Sequence, residues 1–133
     1  GVVMVFQDIH ERKQVEQALR ESERRYRLLA EGLPVGIVRT DLGGTILYAN
    51  QYTQQLLGYS QSELAEKNAK DFYVHGEERQ ILIEKLRKKN SERFEHTLRR
   101  KDGREKWIRG ITQAIQDEDG STIEFEGVWE DIT

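Results

Sequence analysis

Asp117, Glu118 and Asp119 stand in a row, and paired carboxylates are a common means of general acid–base work. They lie between two apolar runs and lead straight into Gly120, so they read as a solvated turn rather than an active site. The three imidazoles, His10, His75 and His96, are scattered. None sits four residues from another, which gives no multi-histidine metal site. The chain has no Cys, which removes disulfides, thiolate metal sites and cysteine nucleophiles together. No nucleophile–base–acid set, P-loop or G-x-G-x-x-G stands in a recognisable context. The chain reads as regulatory, not enzymatic. RRKDGREKWIR over 99–109 is basic with one aromatic. Asp102 and Glu105 interrupt it and the net charge is -3, so it reads as a solvated hairpin tip and no nucleic-acid partner is expected.

The elements that would position any site emerge from periodicity. A length of 133 residues, 34% charged and 36% apolar, suits a single domain with a modest core. No apolar run approaches the roughly 20 residues of a membrane span, and no signal-peptide pattern opens the chain. The expectation is a cytoplasmic domain without direct membrane contact, even if a larger parent is membrane-anchored. The opening GVVMVFQDI is rich in Val and predicts a strand. A lone strand needs a partner, and none comes after it. Residues 9–31 hold no Gly or Pro and predict a helix of about 33 Å, with Asp8 as N-cap and Glu11 completing a capping box. Val15, Leu19, Ser22, Tyr26, Leu29 and Leu33 are spaced 4, 3, 4, 3, 4. That is a heptad seam, suited either to the chain's own globular part or to the same helix of a second chain in a parallel coiled coil. Gly32 and Pro34 end the helix.

From residue 35 the period changes. Short strands over 35–40 and 45–49 flank Asp41-Leu42-Gly43-Gly44. Asn50 caps a helix that Gly58 closes, Ser60 to Glu63 forms a capping box, and 77–89 is amphipathic. Strands over 92–100, 104–116 and 122–132 are joined by turns ending in Asp-Gly. Tight turns between consecutive strands exclude a parallel sheet. The fold class is therefore α+β, with one antiparallel sheet and short helices crossing one face.

ALRESERRYRLLAEGLPVGIVRTDLGGTILYANQYTQQLLGYSQSEL, then RRKDGREKWI, QDEDG and EGVWEDIT, taken in that order, resemble PAS sensor domains of bacterial signalling proteins. The likeness runs from about residue 22 to residue 133 and implies a five-stranded antiparallel sheet of order 2-1-5-4-3 whose short helices enclose a cavity. It also gives meaning to a repeat: VFQDIH at 5–10 and VWEDIT at 128–133 share one pattern, and Asp8 and Asp131 lie 123 residues apart. Residues 1–8 would then be the last strand and exit of an upstream PAS-like domain, 9–31 the linker helix and 32–133 a PAS domain.

The resemblance implies where a ligand would sit. Matched to the family's strands, Ile108, Gly110, Thr112 and Ala114 face inward, as do Phe125, Gly127 and Trp129. With Ile37, Arg39, Leu47, Asn50, Leu57, Phe72, Phe94 and His96 they make the candidate pocket, in which Arg39 and His96 are the polar contacts to watch; Arg39 would suit a carboxylate. The bland alternative has both reaching solvent or pairing with local carboxylates. The outward set Trp107, Ile111 and Ile115 is apolar and asks for a cover, which supports a homodimer. Asp131, Ile132 and Thr133 match the family's output motif, where Asp131 would pair with a basic residue at the start of a linker and Thr133 would cap the output helix. No cofactor is expected. Haem would need an axial His on 77–89, where Arg79 stands near the family's position, and cysteinyl-flavin chemistry lacks its thiol; a non-covalent flavin or a small metabolite remains open. The function implied is a sensor dimerising within a multidomain protein of two-component type, its neighbours being PAS and effector domains, a histidine kinase or a diguanylate cyclase. The alternatives are a ligand-free dimerisation spacer and a haem or flavin sensor.

Overall fold

The structure is a computed structural model that describes the backbone of residues 2–133 and the side chains of 11–133 except Arg27 and Ala30. The chain divides at Leu33/Pro34 into two compact units. The first is α1, one helix over Val2–Gly32. This corrects the strand expected over residues 1–9. Asp8 lies inside the helix and caps nothing. An isolated strand leaves a full row of backbone donors and acceptors without partners, whereas a helix satisfies them within itself. VFQDIH is thus helical while VWED of the matching hexapeptide is strand. The seam residues Val15, Leu19, Ser22, Tyr26, Leu29 and Leu33 are all exposed.

The second unit is an antiparallel sheet with its helices inserted between the second and third strands. The strands are β1 (Gly36–Asp41), β2 (Ile46–Ala49), β3 (Ser91–Arg99), β4 (Glu105–Gln116) and β5 (Thr122–Asp131), in the spatial order β2-β1-β5-β4-β3. The expected 2-1-5-4-3 order is therefore observed. Gly44, Gly103 and Gly120 close the three hairpin turns at φ of 93°, 87° and 84°, the left-handed region in which a side chain is strained.

Between the sheet halves come α2 (Gln51–Leu57), α3 (Gln61–Ala65), a 3-10 turn (Ala69–Phe72) and α4 (Glu77–Lys88). Asn50 caps α2 and Gly58 ends it in the left-handed conformation. Ser60 and Glu63 form the expected reciprocal capping box. One cluster packs Ile46, Leu57, Leu64, Phe72, Leu98, Ile108 and Trp129. A second packs Leu82 and Leu86 of α4 on Phe125. The two clusters flank the site.

A candidate ligand cavity and output joint

A cavity of about 80 Å³ lies between the sheet and the helices. Alternation along β1 turns Val38 and Thr40 toward it, opposite Gly127 and Phe125 of β5. Leu57, Phe72, Phe94, Ile108, Thr112, Phe125, Gly127 and Trp129 line it. The expected set departs from this lining at six positions. Ile37 and Arg39 alternate with Val38 and Thr40 and so belong to the opposite face, since strand side chains have a period of two. Arg39 pairs there with Glu124 and Glu126 of β5. Leu47 is exposed because the register with β1 skips it, Arg39 facing Tyr48 and Thr40 facing Ile46; the bulge throws its side chain out.

Asn50 is wholly buried but structural. Its side-chain oxygen accepts from Ile37 N (3.0 Å), Thr53 N (3.1 Å) and Thr53 Oγ1 (2.8 Å), and its amide donates to Val35 O (2.8 Å). Gly110 makes room rather than lining the cavity: a Cβ there would lie 2.7 Å from Trp129 Cα. Gly36 does the same from the other side, since its Cβ would fall on the Trp129 ring. Trp129 is thus seated between two glycines on the strands flanking β5.

His96 is 7% exposed, stacked on Phe94 at 4.7 Å and edge-on to Tyr73 at 4.9 Å. It stands behind the lining. Its Nε2 is 3.6 Å from Glu78 Oε2. Among the described residues, His96 Nδ1 and Glu78 Oε2 are buried without hydrogen-bond partners. Burial lowers the imidazole pKa to about 4, and the Arg79 charge adds to the shift. Burial also raises the Glu78 carboxyl against the pull of His75, and raises the Tyr73 phenol with Arg79 opposing.

The cation on the cavity wall is Arg79, not Arg39. Its Nη2 lies 3.4 Å from Thr40 Oγ1, to which it donates. The pattern carried a signal for it. Leu82 and Leu86 are the buried stripe of α4, and stepping back three residues along that stripe reaches Arg79.

The end of β5 is tied to β4. Asp131 Oδ1 accepts from Thr133 N (2.9 Å) and Thr133 Oγ1, while Oδ2 is 3.4 Å from Lys106 Nζ. Thr133 Oγ1 accepts from Trp107 N at 2.9 Å, and Ile132 N donates to Trp107 O at 2.8 Å. Burial pulls the Asp131 carboxyl upward, but hydrogen bonds from Thr133 and the Lys106 charge outweigh it and hold the group below its usual range. The basic partner is therefore on β4, not on a linker, because Asp131 lies directly across from Ile108 and beside Lys106. On the face away from the cavity Trp107 is 51% exposed, with Ile111 and Val128 also exposed and Ile115 half-buried. Arg109 and Glu130 pair across that face at 2.6 Å.

Among the described residues there is no cluster of three His, Cys, Asp or Glu that could hold a metal, and no helix long and apolar enough to cross a membrane.

The model of the PAS fold matches residues 24–132. The chain belongs to the PAS family. A PAS domain from Colwellia psychrerythraea is 25% identical to it, with 83% of this chain and 96% of that one covered at a TM-score of 0.76. A PAS domain from a two-component sensor histidine kinase shares the fold at 18% identity and a TM-score of 0.72, over 84% of this chain and 97% of its own. An uncharacterised protein of Sinorhizobium fredii is 29% identical over 131 residues, which is 96% of this PAS chain. The chain spans 16% of that relative's length.

Proposed function

We propose that this PAS domain is a sensory and regulatory module of a larger signalling protein, relaying the state of its cavity to a downstream effector of the histidine kinase or diguanylate cyclase type. The observation that carries the reading is one of connectivity. Phe125, Gly127 and Trp129 wall the cavity, and two residues further along β5 stands Asp131, clipped to Lys106 and Thr133. A shift of β5 that accommodates a ligand reaches the clip without passing through any loop. Such a joint can bias a coiled coil between discrete registers. The module acts as a homodimer, through the heptad seam of α1 and the apolar outer face around Trp107 and Ile111. Its neighbours in the parent are effector domains and further PAS units, on the cytoplasmic side.

The test is Asp131→Ala in the full-length parent. The expected outcome is output that no longer tracks input, with the domain's melting temperature lowered by only a few degrees. Regulation identical to the wild type would overturn the relay.

A second reading, a ligand-free spacer, draws support from the cavity's size. At about 80 Å³ it is far below the ~300–1,000 Å³ of sites for drug-sized ligands. The same volume weighs against flavin and haem, whose rings exceed it several-fold.

A further inference from the structure

Arg79 is a guanidinium on the wall of a mostly apolar cavity. Its neighbours there are hydroxyls, Thr40 Oγ1 at 3.4 Å and the phenol of Tyr73. Glu78, next to it in sequence, faces His96 instead. Among the described residues no carboxylate forms an ion pair with Arg79. A cation taken out of water normally finds a counter-ion, because its desolvation is otherwise uncompensated. Helix stability does not explain the position. Arg79 lies near the start of α4, where the macrodipole disfavours a cation and favours acids such as Glu77 and Glu78. The charge is therefore placed at a cost and left open toward the cavity.

The rest of the wall selects the group that would meet it. Phe72, Leu82, Ile108, Phe125 and Trp129 are apolar and call for alkyl surface, while Thr40 adds a hydroxyl next to the guanidinium. The volume of about 80 Å³ is roughly half that of a dry cavity that holds benzene, ~150 Å³. That leaves room for about three to five non-hydrogen atoms.

We propose that this cavity binds a short-chain monocarboxylate of two or three carbons, its carboxylate on Arg79 and Thr40 Oγ1 and its alkyl end among Phe72, Leu82 and Phe125. The proposal rests on the reading of the cavity as the sensing site and adds the chemical class of the molecule sensed. A guanidinium forms two parallel hydrogen bonds to a carboxylate, and the apolar wall discriminates against hydrated inorganic anions.

The test is calorimetric titration of the 133-residue chain with sodium propionate at constant ionic strength, set against nitrate, chloride and hexanoate. Propionate should bind saturably, with hexanoate about tenfold weaker or worse because it outgrows the cavity. Arg79→Gln should weaken propionate by about tenfold or more. Thr40→Val, which keeps the shape, should weaken it severalfold and serves if the first variant does not fold. Three results would each overturn the proposal: no propionate binding to folded wild type, equal binding of nitrate or chloride, or variants that bind as the wild type does. Absence of binding while Asp131→Ala still uncouples the parent sinks the ligand class alone. Binding with no effect on the parent's output sinks the sensing role alone.

Discussion

At neutral pH His96 carries no proton charge, and its surroundings explain why. Phe94 and Tyr73 enclose the ring, Arg79 repels a proton, and Glu78 is close without forming a hydrogen bond to it. The folded value of about 4 lies below the ~6.5 of an unfolded chain. Above pH ~6.5 neither state holds the proton and the full stability is present. As the pH falls toward the folded value the unfolded chain is protonated first, and stability drains away. The raised Glu78 carboxyl works in the opposite sense above its ordinary range and offsets part of the loss. Urea denaturation should therefore show wild type about 1–2 kcal/mol less stable at pH 5 than at pH 7.5, and His96→Gln should remove most of that difference. A wild-type curve flat between those two values would show that the imidazole is not desolvated.

The same scale shows what single residues disclose in advance. Asn50 as a cap and Ser60–Glu63 as a box were legible because capping depends on local spacing. The choice between Arg39 and Arg79 was not. It turns on which of two alternating faces of β1 points inward, and a shift of one residue reverses the answer.

Trp129 governs the middle of the sheet at the scale of elements. Its indole lies across β5 onto Gly36 of β1, and its backbone presses on Gly110 of β4. Both glycines are needed for space, not for backbone freedom. Gly36→Ala and Gly110→Ala should each destabilise the domain by about 2 kcal/mol, the usual scale for overpacking, measured from urea midpoints. The two should differ in rescue. Trp129→Leu should recover part of the loss at Gly36, where the obstacle is the ring, and little at Gly110, where it is backbone. Equal rescue at both sites would contradict this packing.

Strands, turns and short helices were readable because each carries its own period and punctuation. The bulge at Leu47 had no such mark, and the first residues of α1 misled because Val-rich composition favours strand only where a partner strand exists. The order of the sheet came from likeness to a family; hairpins alone require only that neighbours in sequence pair.

For the whole molecule, α1 decides how copies associate. Val15, Leu19 and Leu29 are 68%, 59% and 62% exposed, a stripe that heptad pairing with a second copy would bury. Leu19→Lys with Leu29→Lys should convert a dimer to monomer in sedimentation, since charge in a seam is costly. A dimer unaffected by both changes would exclude the seam, and a monomeric wild type would exclude the dimer.

The two rims of the sheet have a consequence for how copies can meet at all. One rim is β2, four residues long and kinked at Leu47. The other is β3, where Tyr73 bridges Leu98 and Val74 N donates to Thr97 O, and Glu92, Arg93, Glu95 and Arg99 crowd the strand. Neither margin offers a long, straight, uncharged template for another chain's strand. Side-by-side growth into fibrils is blocked at both borders, so a crowded solution of this protein is steered away from ribbon-like aggregates.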